Sequence, residues 1–266
     1  MAFYQKLRKH KMVLRLFWVL LLLVVWEGGV RISGVSPLLF PSIEEVLRAL
    51  VDSAKRGDLL WQAGFSLWLI FLGMAIGLGL GFVLTLLSMR FPVAGDLIDT
   101  ISAIAHPLPG IAVLPLIILW FGTGTGAILA IIVHSCLWPM LLNLTAGFRS
   151  VSPIYTDVGR NLSMRSFAIT TEILIPASFP MLLSGVKIGW ARAWRALISA
   201  EMVFGAVGSK GGIGWYIFKQ RTFMNPAGLF AGILVVIVIG MLVEDLLFGK
   251  IEQQTAEKWG MTNDGQ

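Results

Sequence analysis

Apolar residues in this chain come in long runs and do not alternate with polar ones, so the pattern predicts helices and no half-buried strands. The first run, Leu14 to Trp26, is closed by Glu27 and Arg31, and five more follow at about 59–88, 95–120, 125–147, 180–205 and 227–248. A bilayer crossing takes about 20 mostly apolar residues. The reading is therefore an all-α integral membrane protein of six transmembrane helices, with residues 1–266 as a single transmembrane domain. Lys6, Arg8, Lys9 and Lys11 before the first run resemble the start of a signal peptide, but no small-x-small cleavage site follows, which favours an uncleaved first span.

Composition agrees with the pattern. Of the 266 residues 56% are hydrophobic and only 14% charged, against about 25% charged in an ordinary soluble domain. The formal charge of +6 in so apolar a chain points to basic loops beside a lipid bilayer and not to nucleic acid. With both termini placed in the cytoplasm, Lys and Arg number 11 on the inner side and 7 on the outer, the sense of the positive-inside rule.

Between the first two spans, Pro41 to Val51 carries the capping pair Ser42 and Glu45 with apolar Val46, Leu47 and Leu50, a short amphipathic helix. In the second span Gly64, Gly73, Gly77 and Gly81 predict close helix packing. Pro107, Pro109 and Pro115 break the third span, and such breaks are tolerated in a membrane where protein or water satisfies the freed carbonyls. Residues 148–178 form the longest cytoplasmic stretch. Ser152 and Pro153 start a helix running through Leu162, and a second helix is expected from Arg165 to Ile173, ending before Pro176.

Catalytic and metal chemistry is poorly represented. The single cysteine, Cys136, supports neither an intrachain disulfide nor a multi-cysteine metal site, and His10, His106 and His134 belong to no HExxH. His106 and His134 read as hydrogen-bonded packing residues. No GxxxxGK[ST] is present, so a P-loop ATPase is excluded, and no GxSxG elbow suggests a hydrolase. The sequence thus gives no catalytic residues, no metal site and no cofactor bound by this chain.

The fifth span holds the unusual chemistry. Lys187, Arg192, Arg195 and Glu201 sit in an apolar stretch, where each charge costs about 2.5–3.5 kcal/mol near the bilayer centre. At 100° per residue Lys187, Trp190, Trp194, Leu197 and Glu201 share one stripe, whereas Arg192, Arg195 and Ser199 share another. With a helix start near Pro180, Arg192 lies about 18 Å along it. Arg192, Arg195, Ser199, Trp194 and Glu201 are accordingly the candidates for lining a path for a polar or anionic solute. Pairing with neighbouring spans, for instance Glu201 with an arginine of another helix, is the structural alternative.

Asp157-Val158-Gly159-Arg160-Asn161-Leu162-Ser163, then nine residues, then Ile173-Leu174-Ile175-Pro176, resembles the EAA loop of ABC-importer permeases. That pattern is E-A-A-x-x-x-G, nine residues, I-x-L-P. Asp157 stands for the Glu, Val158 and Gly159 for the alanines, and Ser163 for the Gly. Leu39-Phe40-Pro41-Ser42, Pro107-Leu108-Pro109, Leu119-Trp120-Phe121-Gly122 and Ala193-Trp194-Arg195-Ala196-Leu197-Ile198 are similar to the nitrate/sulfonate/taurine branch. The resemblance implies a type I importer permease in the bacterial inner membrane, working as a homodimer with two separate ATPase subunits and an external solute-binding protein. ATP and Mg would be held by the ATPase partners. Asp157, Val158, Gly159, Arg160, Leu162, Ser163, Ile173 and Pro176 would form the ATPase-coupling element, and the solute would be small and anionic. A secondary carrier or channel for a small polar solute is the competing reading, which internal inverted repeats would favour.

Overall fold

The computed structural model describes residues 11–205 and 211–257. The elements are α1 (Lys11–Ser33), α2 (Ile43–Lys55), α3 (Asp58–Arg90), α4 (Pro92–Ala105), a 3-10 turn (Gly110–Val113), α5 (Leu114–Phe121), α6 (Thr125–Ser150), α7 (Pro153–Asn161), α8 (Ser166–Phe204), α9 (Ile213–Thr222) and α10 (Pro226–Thr255). No strand occurs among the described residues. Helices α3, α6, α8 and α10 are each long and apolar enough to cross a membrane, and α4 with the 3-10 turn and α5 forms a pair bent by 96° that makes a fifth crossing if taken together. The remaining expected crossing falls on α1, a helix of 23 residues and so roughly 34 Å long.

The chain divides into two compact units. The first comprises Met1–Trp61 with Tyr216–Val235. Its centre is aromatic: Trp26, Phe40 and Phe230 meet pairwise with ring centroids 5.1, 5.1 and 5.4 Å apart. The Trp26 indole N–H donates to the Pro41 carbonyl at 3.0 Å. The amphipathic helix is present as α2, and its capping box is complete: the Glu45 amide donates to Ser42 Oγ at 3.3 Å and the Ser42 amide to the Glu45 carboxylate at 2.8 Å. Glu27 does not end the first helix, which runs on to Ser33. Its carboxylate pairs with Arg31 one turn on at 2.7 Å and accepts the Ile43 amide at 3.0 Å, so it ties α1 to the start of α2.

The second unit, Gln62–Trp215 with Val236–Gln266, contains the main helix packing. Small residues set the spacing there, as expected for helices associating in lipid. A Cβ at Gly73 would lie 2.9 Å from Ile132 Cβ, one at Gly77 would collide with Cys136 Sγ, and one at Gly81 would touch Leu144 at an ordinary 3.5 Å. Gly64 faces nothing within 4 Å and takes no part in this seam. Helix α8 uses the same device against α6. Gly185 abuts Asn143 and Gly189 abuts Met140, at 2.7 and 2.9 Å from a built Cβ.

Two expectations for α8 are corrected. No separate helix ends before Pro176 and no new helix begins at Pro180: one helix of 39 residues runs from Ser166 to Phe204. A wide π turn at Ile169–Leu174 precedes Pro176 and places the proline in the first turn of the following α-helical stretch, where its missing N–H and fixed φ are tolerated. At about 1.5 Å per residue the helix is roughly 58 Å long, nearly twice the about 30 Å of a hydrocarbon core. The helix is therefore longer than one crossing needs, and it joins the loop residues 166–178 to the apolar span without a break.

Candidate functional site: a cation-lined cavity and an exposed loop

The break in the third span does what its prolines predict. Helix α4 stops at Ala105, Pro107 and Pro109 lie in the bend, and Pro115 falls in the first turn of α5, where no N–H is needed. The bend, α6 and α8 line an open-sided cavity of about 500 Å³. Its polar lining comes from His106 of the bend, His134 and Ser135 of α6, and Arg192, Arg195 and Ser199 of α8.

The two stripes read on the fifth span separate cleanly. Arg192, Arg195 and Ser199 face the cavity, while Trp194 and Glu201 are buried away from its lining. Trp194 stacks on Trp190 at 5.6 Å, and Trp190 in turn meets Phe248 edge-on at 6.4 Å. Glu201, 1% exposed, has no arginine partner among the described residues. It accepts the Ser66 hydroxyl at 2.7 and 2.9 Å on its two oxygens and the Gly214 amide at 2.8 Å, and Ser66 Oγ accepts the Ile213 amide at 2.9 Å. Lys187 on the same stripe forms an ion pair with Glu252. The structural alternative thus holds for Lys187, and Glu201 is satisfied by hydroxyl and amide donors.

The cavity arginines have no such neutralisation. Arg192 Nη1 donates to the His106 carbonyl at 3.3 Å and Arg195 Nε to the Ala191 carbonyl at 2.9 Å. Among the described residues neither guanidinium has a carboxylate within 4.0 Å. Both remain half-buried or exposed toward the cavity, where a guanidinium fork suits an oxyanion.

His106 and His134, far apart in sequence, converge on this cavity, whereas His10 lies outside the described residues. His134 Nδ1 accepts the Trp138 indole N–H at 3.3 Å, which leaves the proton of a neutral ring on Nε2. That nitrogen lies 3.4 Å from the Leu108 carbonyl, so His134 braces α6 against the bend. It is the hydrogen-bonded packing histidine the sequence suggested, placed at the wall of the site. Ser135 went unnoticed in the sequence because a serine in an apolar helix ordinarily bonds its own backbone.

On the loop, Gly159 is buried: a Cβ there would lie 2.9 Å from Ile173 Cδ1 and 3.2 Å from Ile169. Gly159 and Ile173 therefore pack α7 onto α8 inside the loop, and Pro176 is half-buried at its base. Asp157, Val158, Arg160, Leu162 and Ser163 point outward. Leu162 and Phe167, 72% and 78% exposed, join Ile154, Tyr155 and Val158 in an apolar outer surface. Ser163, at the position where the EAA pattern has glycine, takes φ +57°, the left-handed region in which glycine is unstrained.

Three relatives place this architecture. A putative aliphatic sulfonates transport permease of Bacillus subtilis (strain 168) is 26% identical over 92% of this chain and 86% of its own length. A nitrate import permease of Leptolyngbya laminosa is 25% identical over 77% and 74%, and a carnitine transport permease of Listeria monocytogenes 29% over 74% and 87%. These relatives are named as transport permeases, in keeping with a chain that is not itself an enzyme. The family of binding-protein-dependent transport system inner membrane components matches residues 73–255, and this chain belongs to it, as a multi-pass ABC-importer permease of a family that works with ATPase and solute-binding-protein partners.

Proposed function

We propose that this chain forms the membrane path of an importer for a small anionic solute of the sulfonate or nitrate kind. The observation that carries the proposal is the pair Arg192 and Arg195 on the cavity at the helix break, with no carboxylate beside either among the described residues. A cation left unpaired within a span is costly and is kept where it serves a solute. The relatives' named solutes differ in charge, and the cavity favours the anionic ones. A quaternary ammonium group is recognised by faces of aromatic rings, whereas here two guanidinium groups occupy the wall.

In this reading the loop at 148–178 couples the path to the ATPase. Its support is the outer apolar surface of Ile154, Tyr155, Val158 and Leu162 on and after α7 and of Phe167 on α8, with α7 packed through Gly159 onto Ile169 and Ile173 of the helix that carries the arginines. A push on the loop reaches the cavity along α8. A second copy of the chain completes the path, both termini lie in the cytoplasm, and ATP with Mg is bound by the two ATPase subunits. The EAA-like spacing and the match to residues 73–255 favour this over a secondary carrier or channel.

The test is uptake into proteoliposomes holding the permease, its ATPase and its solute-binding protein. ATP-dependent accumulation of an alkyl sulfonate or nitrate, with none of a quaternary ammonium solute, is the expected result. Uptake of the quaternary ammonium solute alone refutes the anionic assignment, and uptake that ignores ATP favours a carrier.

A further inference from the structure

Arg90 is the last residue of α3 and Arg149 lies in the last turn of α6, so each stands where an apolar span stops. With Arg160 of α7 they border an open-sided cavity of about 670 Å³ that shares no residue with the one at the proline bend. No acidic side chain lines it among the described residues. Arg90 has no carboxylate within 4.0 Å among the described residues, and its guanidinium lies over the Phe91 ring, 5.3 Å from the centroid. Arg149 stands 4.0 Å from Asp99 and Arg160 3.2 Å from Asp157. Both pairs are exposed, and exposed pairs hold their partners weakly. All three cations are therefore open to an anion at the mouth of the cavity.

Beneath the arginines the cavity turns apolar. Leu86 and Phe82 precede Arg90 by one and two turns and share its face of α3, so an apolar trough runs about 12 Å along the span from the charged rim. Its floor is Phe148 of α6 and Leu174 of α8, both buried, and Phe82 meets Phe148 edge-on at 6.1 Å. The hydroxyls of Thr156 and Thr170 on the wall donate to the Pro153 and Ser166 carbonyls at 2.8 and 3.1 Å, so neither adds a free donor. A ligand that fits has one anionic end and one hydrocarbon end. A free phosphate would use the rim and leave the trough wet, and a neutral chain would use the trough and leave the cations unpaired. The rim also stands where two membrane-crossing helices end, the level at which anionic headgroups attract basic side chains.

We propose that this cavity holds an anionic phospholipid, its phosphate among Arg90, Arg149 and Arg160 and the start of an acyl chain along Phe82 and Leu86. The walls come from α3, α6, α7 and the first turns of α8, so the lipid fixes the loop against the ends of the spans. The site is independent of the solute assignment and uses none of its residues.

The experiment is native mass spectrometry of the full-length permease in detergent, after addition of phosphatidylglycerol or of phosphatidylcholine with the same chains. The parental protein is expected to retain one phosphatidylglycerol per chain at concentrations where phosphatidylcholine is lost, and excess inorganic phosphate is expected not to displace it. Arg90→Gln combined with Arg149→Gln is expected to weaken retention roughly 30-fold, the factor that two basic side chains are worth beside an anionic headgroup. Lys55→Gln with Arg56→Gln removes two charges elsewhere and is expected to bind as the parent does. Met89→Glu, at an exposed position on the cavity, keeps all three arginines and is expected to melt at the parental temperature yet lose the lipid. Equal losses in the two double variants would show attraction to overall charge and overturn the site, as would unchanged retention in Met89→Glu. Equal retention of phosphatidylcholine assigns the cavity to a chain alone, and displacement by inorganic phosphate assigns it to a free anion. Either result overturns the lipid assignment.

Discussion

Replacing Ser66 by Ala removes the hub of a buried network that holds the segment after α8 against the helix core. The Ser66 hydroxyl donates to Glu201 and accepts from the Ile213 amide, and both Ser66 and Glu201 are almost wholly buried. Ser66→Ala loses one hydrogen bond to a buried carboxyl group and strands the Ile213 amide. Each loss is worth about 1–2 kcal/mol, so the variant is expected to be less stable by about 3 kcal/mol. For a chain of this size that corresponds to a fall of roughly 6–12 °C in the melting temperature. Ser178→Ala is the control, since that hydroxyl is as buried but bonds only carbonyls of its own helix, and its loss is expected to cost under about 1 kcal/mol. The assay is thermal unfolding of the detergent-purified protein followed by tryptophan fluorescence, with hydrogen exchange over residues 211–222 as a local readout. Exchange there is expected to rise in Ser66→Ala alone. If the two variants melt together within about 2 °C, the network is not what secures this segment, and the reasoning fails.

Three further outcomes follow from the packing and the loop. Gly77→Ala drives a methyl into Cys136 Sγ and is expected to cost about 1–3 kcal/mol, most of it recovered in the double variant with Cys136→Ala, a coupling that a thermal double-mutant cycle measures. Ser163→Gly relieves a left-handed backbone at a non-glycine residue and is expected to gain about 1 kcal/mol in the same melts, whereas Ser163→Val loses stability. Leu162→Asp on the outer loop surface is expected to leave insertion and folding intact but to break the dependence of ATPase activity on solute in the assembled importer. Gly159 is the wrong position for that test, because it packs against Ile169 and Ile173 and a bulky residue there disrupts the loop from within.

The helical class and the places where the chain breaks were legible because they depend on local properties: run length, prolines and caps. Ser42 with Glu45, the Pro107–Pro109 bend and the glycines at 73 and 77 all acted as their residue types dictate. What the sequence could not supply was convergence. His106, Ser135 and Arg192 share a cavity only because a 96° bend folds the third span back toward α6 and α8, and no spacing rule reports that. The extent of α8 was misread for a related reason. Proline near a helix start is harmless, and at Pro180 the sequence offers no sign of whether the helix has already begun. The partner of Glu201 was equally hidden, since a serine 135 residues away and a backbone amide leave no charge pattern to find. The arginine stripe, in contrast, was readable from helical geometry alone and faces the cavity as a unit.

The central claim, that the arginine-lined cavity is the solute path, is tested most directly by Arg195→Ala in proteoliposomes with the ATPase and the solute-binding protein. Arg195 lies on the cavity and, among the described residues, its side chain bonds only its own helix, so its removal is expected to leave insertion and assembly unchanged, as gel filtration of the complex would report. Uptake of the anionic solute is expected to fall at least about ten-fold, the effect of losing one charge-assisted hydrogen bond, with Arg192→Ala milder and Lys at 195 failing to restore the full rate. Uptake at the parental rate in Arg195→Ala, or a loss that merely follows failed assembly, contradicts the account.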